Sequence, residues 1–104
     1  MKVPLAQDSA VARGEATEVD FFGRSVLLTR GEDDRVRAYM NVCLHLGGPL
    51  ELSADGQTFR CQWHQACFSA ATGEATHAPA PRGSRLLRLP TRIEAGQVVY
   101  VYGE

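Results

Sequence analysis

The sequence predicts an all-β antiparallel fold, and three features of the chain favour that fold class. Short runs of β-branched and aromatic residues recur, and turn-forming pairs separate them. Only Ser9–Arg13 has the character of a short helix, with Ser9 as its cap. Many short strands joined by tight turns are typical of antiparallel sheets. Turns are predicted at Phe22-Gly23, Gly31–Asp34, Asp55-Gly56, Thr72-Gly73 and Ala95-Gly96.

The strands are predicted from runs that combine β propensity with flanking turn residues. They are Glu15–Asp20, Arg24–Arg30, Arg35–Val42, Gln57–Cys61, Cys67–Ala70, Arg85–Leu89, Thr91–Glu94 and Gln97–Tyr102. Most aromatic side chains fall on or beside these runs, and we expect them to be core or half-buried strand residues: Phe21, Phe22, Tyr39, Phe59, Tyr100 and Tyr102.

Length and composition predict one domain, residues 1–104, in the reducing cytoplasm. The chain has 104 residues, 11 basic and 12 acidic side chains and a net charge of −1, so no basic patch points to nucleic acid. Its apolar stretches are too short for a membrane span, and no apolar run of a secretory signal follows the N-terminus. Three cysteines, two with a better use than a disulfide, favour a cytoplasmic protein.

The chemistry is concentrated in the middle of the chain, where every Cys and His lies between Asn41 and about Pro81. Within it stand the pairs Cys43-Leu44-His45 and Cys61-Gln62-Trp63-His64, fifteen residues apart. Thiolates and imidazoles are ligands for iron–sulfur clusters and for zinc. A structural zinc site is less favoured, because its cysteines and histidines usually stand in like pairs. Buried cysteines and surface histidines without a metal are the simplest alternative.

The segments C-L-H-L-G-G-P-L and C-Q-W-H-Q-A-C-F resemble the Rieske family, above all the Rieske-type ferredoxins of bacterial multicomponent ring-hydroxylating oxygenases. Thr72–Ala75, Ala78–Pro81 and Leu89–Val101 extend the resemblance over nearly the whole chain. It implies a sandwich of three antiparallel sheets, with a cluster-binding subdomain at approximately 41–81 on a base formed by the flanks.

By the same resemblance, the chain holds one 2Fe–2S cluster, with Cys43 and Cys61 on the inner iron and His45 and His64 on the outer iron. The implied function is a ferredoxin that carries single electrons from a flavin-dependent reductase to a terminal oxygenase, without a catalytic site of its own. Docking at the histidine tip is expected to be transient and small. The candidate contact residues are Leu44, Gln65, Pro79 and Arg82.

Residues beside the ligands predict a potential at the low end of the family's range of roughly −150 to +300 mV. High-potential members have a disulfide between the loops, where this chain has Gly48 and Trp63. They also have hydroxyl donors to sulfur at the positions of Ala66 and Phe68. Without these hydrogen bonds the negative charge on sulfur is less stabilised, which favours the oxidised form.

The chain departs from the family pattern at two positions and leaves two alternatives open. Gln62 stands where the family usually has proline, and Gln65 where it usually has glycine. Cys67 is expected to be a buried strand residue.

The alternatives are the small subunit of an assimilatory nitrite reductase, which often lacks the ligands, and a zinc-stabilised interaction module. The cluster domain of a larger oxygenase would need a catalytic domain, for which 104 residues leave no room.

Histidine ligation predicts a pH-dependent reduction potential. A ligand imidazole can lose its outer proton, so we expect the potential to fall as the pH rises through the pKa of the oxidised form. Protein-film voltammetry between neutral and strongly alkaline pH measures this. A potential that stays flat over that interval contradicts histidine ligation.

Overall fold

The structure is a computed structural model that describes residues 2–42, 49–62, 66–77 and 83–102. Strands make up its regular structure, together with one short 3-10 helix at Asp8–Ala10. The strands are β1 (Lys2–Gln7), β2 (Ala16–Phe21), β3 (Arg24–Arg30), β4 (Val36–Met40), β5 (Leu50–Leu52), β6 (Thr58–Cys61), β7 (Cys67–Ser69), β8 (Ala75–His77), β9 (Arg88–Leu89), β10 (Thr91–Glu94) and β11 (Gln97–Val101).

The strands form three sheets, and every strand pair within them is antiparallel. Sheet I has the order β1-β11-β10, sheet II the order β2-β3-β4-β9, and sheet III the order β5-β6-β7-β8. The all-β fold class and the three antiparallel sheets expected from the sequence are therefore confirmed.

Sheet II lies between two cores, which explains why the middle of β3, residues 26–28, is apolar without interruption. Leu27 packs in the core shared with sheet III, whereas its neighbours Val26 and Leu28 pack in the core shared with sheet I. Successive side chains of a strand point to opposite faces, so a strand buried on both faces shows no apolar–polar alternation.

Tyr39 joins sheet II to sheet III. Its ring meets the ring of Phe59 edge to face, with centroids 5.7 Å apart, and both residues are fully buried. The Tyr39 hydroxyl donates a hydrogen bond of 3.0 Å to the buried Ala70 carbonyl. Gly73 passes beside this ring at a φ of +80°, and a Cβ there would lie 3.0 Å from Tyr39 Cε1. Close packing thus requires glycine at this point of the turn.

The helix predicted at Ser9–Arg13 is wrong. The segment has one 3-10 turn at Asp8–Ala10, whose capping position is Gln7, without a side-chain cap. Arg30 supplies the reason: its guanidinium donates hydrogen bonds of 2.9 Å to the carbonyl oxygens of Asp8 and Val11. This distant side chain holds the segment in a conformation that does not continue as an α-helix.

The predicted strands are confirmed with small changes of boundary, except that Arg85–Leu89 shortens to Arg88–Leu89. Glu74 and Arg85 instead form an isolated bridge. Three strands have no counterpart in the prediction, namely β1, β5 and β8. All five predicted turns are confirmed.

The expectation that all six aromatic residues are core or half-buried is wrong for two of them. Phe22 is 73% exposed and Tyr102 is 63% exposed. Phe22 lies in the β2–β3 turn with a φ of 52°, outside the pleated part of the sheet. Within the part of the chain that the structure describes, no helix is long and apolar enough to cross a membrane.

Replacing Tyr39 by Phe tests the junction between sheets II and III. We expect Tyr39→Phe to lower the free energy of unfolding by about 1–3 kcal/mol, because the buried Ala70 carbonyl loses its donor. Burial raises the pKa of Tyr39 above its usual value of about 10. The protonated phenol therefore contributes its whole share of the free energy of unfolding below that pH. This contribution is lost as the pH rises through the folded-state pKa, and the difference between the two proteins should narrow there.

Urea unfolding at neutral and at alkaline pH measures both effects. Tyr100→Phe is the matched control, since it removes a hydroxyl from a half-buried strand position and keeps the ring contact with Phe21. Equal losses of stability in the two variants would show that the hydrogen bond to Ala70 contributes nothing.

Candidate functional site

The two segments that carry the predicted ligands connect to sheet III at the same end of the paired strands β5 and β6. The first segment enters β5 at Leu50, and the second follows β6, which ends at Cys61. Leu50 and Cys61 are direct cross-strand partners. Antiparallel pairing therefore brings together two parts of the chain that carry cysteine and histidine at similar spacing.

Hydrogen bonds close both segments and join them to each other. The Leu50 N–H donates to Asn41 Oδ1 at 2.9 Å, across the first segment. The Cys61 N–H donates to the Ala66 carbonyl at 2.8 Å, across the second. The Gln62 N–H donates to the Pro49 carbonyl at 3.0 Å, which links the two segments. The ends of both loops are thus fixed to one another through the backbone.

Cys61 is fully buried at this junction and is not in a disulfide. Its side chain belongs to the core formed with Leu50, Phe59 and Ala66. A buried thiol between two closed loops fits a cluster ligand, because iron–sulfur clusters are held by thiolates whose surroundings exclude water. Of the four predicted ligands, Cys61 is the one within the described residues.

The other residues predicted for the cluster and its contact ring lie outside the described residues. These are the ligands Cys43, His45 and His64, together with Leu44, Gly48, Trp63, Gln65, Ala78–Pro81 and Arg82. Within the four described ranges, no three His, Cys, Asp or Glu side chains group as a metal site.

Cys67 faces away from Cys61. Arg60 and Cys67 are cross-strand partners on the outer face of sheet III, whereas Phe59, Cys61 and Phe68 lie on the inner face. Cys67 is half-buried, so the expectation of a buried strand residue is corrected. Successive side chains of a strand point to opposite faces of the sheet, so the Cys67 side chain lies on the face opposite the proposed ligand.

The positions expected to lack hydroxyl donors are apolar and buried. Ala66 is fully buried, and the ring of Phe68 lies in the core with Phe59 and Tyr39. The side chains at these positions therefore supply no O–H donor beside Cys61.

The two aspartates of the acidic β3–β4 turn form ion pairs within the chain. Arg37 binds Asp33 at 2.7 Å, and hydrogen bonds from the Arg37 side chain and the Arg35 backbone lower the pKa of Asp33 to about 2. Asp34 pairs with Arg13 at 3.1 Å. Arg13, Asp33 and Arg37 line a cavity of about 300 Å³ that the β5–β6 turn also borders, at the end of sheet III opposite Cys61.

Asn41 is a residue of the site that sequence reasoning missed. It lies two positions before Cys43, and its side chain closes the first segment through Leu50. The only signal in the sequence is a polar residue directly after the buried end of β4.

Three antiparallel sheets, with a buried thiol between two joined loops of the third, define a β-sandwich class that carries a cysteine-containing site at one end. The model of one family, the Rieske [2Fe-2S] domain, matches residues 1–94. The chain belongs to this family, as the motifs of its sequence indicate. Membership implies a Rieske-type 2Fe–2S cluster as the cofactor.

Comparisons with individual proteins agree with this family. The chain is 27% identical to oxidoreductase NdmD of Pseudomonas putida over 108 residues, which cover 97% of the chain and 18% of that protein. Thus it spans under a fifth of its curated relative.

Two solved structures are similar over nearly their full length. The Sphingomonas yanoikuyae B1 ferredoxin has a TM-score of 0.80 and 27% identity, with 96% of this chain and 97% of that chain covered. The ferredoxin of carbazole 1,9a-dioxygenase from Nocardioides aromaticivorans IC177 has a TM-score of 0.77 and 21% identity, with 96% of each chain covered.

The burial of the two described cysteines predicts a large difference in thiol reactivity. We expect a neutral alkylating reagent to label Cys67 at least about a hundredfold faster than Cys61, since Cys61 reacts only after local opening of sheet III. Peptide mass spectrometry after timed labelling measures both rates. If the two cysteines react at similar rates in the folded protein, as they should in urea, the burial of Cys61 is contradicted.

Proposed function

We propose that this chain is a Rieske ferredoxin that carries single electrons and holds its cluster on Cys43, His45, Cys61 and His64. One observation supports the proposal: Leu50, which follows the first proposed ligand segment, pairs with Cys61, which begins the second, and the Cys61 thiol is buried there. When bound, the cluster supplies a one-electron redox centre. The chain has to orient the donors and exclude water, which the closed loops and the apolar core around Cys61 favour.

The proposed potential is at the low end of the family's range. Support comes from Ala66 and Phe68, which are buried and offer no hydroxyl to a nearby sulfur.

The proposed partners are a flavin-dependent reductase and a terminal oxygenase, with transient docking at the histidine tip and no catalytic site in this chain. One solved structure with the same fold is a ferredoxin of a dioxygenase, which supports an oxygenase as the electron acceptor. We also propose that residues 1–104 are one domain in the cytoplasm, with approximately 41–81 as its cluster-binding subdomain. Sheet III, from Leu50 to His77, would form the described part of that subdomain.

A second candidate is the Rieske domain of a larger redox protein. The match to an oxidoreductase of which this chain covers 18% favours it. An immunoblot of the native protein separates the candidates by mass, since a free ferredoxin migrates near 11.3 kDa. The zinc module and the nitrite reductase subunit gain no support, because the matched family is a [2Fe-2S] domain and both solved structures above are ferredoxins.

A pair of cysteine variants tests the proposed ligands. We expect Cys61→Ser to lower the bound iron and sulfide at least about tenfold, because the buried thiolate is a cluster ligand. Cys67→Ser, on the outer face of the same sheet, should keep two irons and two sulfides per chain. Iron and sulfide assays and the visible spectrum measure both.

Bound zinc in place of iron, or full cluster content in Cys61→Ser, would refute the ligand assignment. The electron paramagnetic resonance spectrum of the dithionite-reduced protein checks the histidines independently. Mixed ligation lowers the average g value below that of an all-thiolate cluster.

A further inference from the structure

Asn41 contacts two sheets at once. Its side-chain oxygen accepts the hydrogen bond from the Leu50 N–H, at the start of sheet III. Its side-chain nitrogen donates to Ser25 Oγ at 3.1 Å and to Glu18 Oε2 at 3.3 Å, both in sheet II. Its backbone N–H donates to the Ser25 carbonyl at 3.0 Å. The Asn41 side chain therefore links the end of β4 to β2 and β3 of sheet II and to the start of sheet III.

Glu18 and Ser25 orient this amide. They lie diagonally across the adjacent strands β2 and β3, since Asp20 pairs with Ser25 and Glu18 with Leu27. The Ser25 hydroxyl donates to Glu18 Oε2, so both oxygens are available to Asn41 only as acceptors. The amide nitrogen must then face Ser25 and Glu18, and the amide oxygen must face Leu50. The donor–acceptor pattern thus permits one orientation of the side chain.

This contact stands immediately before the first ligand segment. Cys43 follows Asn41 by two residues, and Val42 between them packs against the core of sheets I and II. The far end of the segment is held by Leu50, the partner of Cys61. The distance between the two ends therefore depends on the Asn41 side chain.

We propose that Asn41, held by Glu18 and Ser25, is a positioning residue that sets the cluster geometry by fixing both ends of the first ligand segment. This inference rests on the proposed function. No contact between Asn41 and the cluster is involved, since the side chain acts through the ends of the segment. The predicted consequence is faster loss of the cluster and an altered spectrum when the amide is changed.

The first test removes the three side-chain hydrogen bonds of Asn41 with a side chain of similar size. Asn41→Leu should lose the cluster about tenfold faster in the presence of an iron chelator, because the Leu50 N–H loses its acceptor and the Glu18 carboxylate loses one of its donors. It should also shift the g values of the reduced protein. Absorbance decay and electron paramagnetic resonance measure the two effects in the holoprotein.

Ser53→Ala is the matched control at the opposite end of sheet III. There the Ser53 hydroxyl oxygen accepts the Thr58 N–H at 3.1 Å, which is also a side-chain bond that closes a loop. If the only role of Asn41 is to stabilise the fold, both variants should lose stability. In that case neither variant should change the g values, and the rate of cluster loss should change by no more than about twofold.

The second test exchanges donor and acceptor. In Asn41→Asp a carboxylate still accepts the Leu50 N–H but faces the Glu18 carboxylate, so cluster loss should again accelerate about tenfold. Adding Glu18→Gln supplies an amide donor to that carboxylate at unchanged net charge. The double variant should return to within about twofold of the starting protein.

The outcomes distinguish this inference from the proposed function. Starting protein that binds no iron and sulfide after reconstitution refutes the proposed function and the inference with it. Normal cluster content, together with Asn41→Leu that behaves as Ser53→Ala does, refutes the positioning role alone. Failure of Glu18→Gln to rescue Asn41→Asp refutes the orientation by Glu18.

Discussion

The packing of Tyr39 against Phe59 is the contact on which the site depends. The strands of sheet III pair over only two or three residues, so the sheet depends on packing against the rest of the fold. Its inner face, with Phe59 and Phe68, becomes stable by covering Tyr39 and Leu27 of sheet II. Since Cys61 lies on that same face, the contact that stabilises the sheet also fixes the depth and direction of the proposed ligand.

The elements that the sequence predicts well are those with enough residues to show a pattern. β3 and β10 have the predicted bounds, and β2, β4, β6, β7 and β11 differ by a few residues. β5 and β8 have three residues each, too few for any periodicity. β1 contains Pro4, which argues against a central strand, but β1 lies at the edge of sheet I and has a register shift beside this proline. These elements form because of their neighbours.

The site divides in the same way. Local spacing singles out Cys61 as a proposed ligand, because ligand motifs are short-range patterns, and this assignment stays a prediction. The role of Asn41 was out of reach, because its partners Ser25 and Glu18 lie 16 and 23 residues away in sequence. The failed helix at Ser9–Arg13 has the same cause, since Arg30 is 22 residues from Asp8. Long-range polar contacts leave no local pattern in one sequence.

Gln62 shows how a departure from the family pattern is accommodated. A proline at this position has no backbone N–H, whereas the Gln62 N–H donates to the Pro49 carbonyl at 3.0 Å. The chain gives up the fixed φ of proline, which raises the conformational entropy that folding must overcome. In return it gains a hydrogen bond between the two segments that carry the proposed ligands. A bond across the segments restricts their relative position, which a proline within one segment does not do. The substitution is therefore compatible with a closed site, because the restraint is moved from one residue's backbone angle to the contact between the loops.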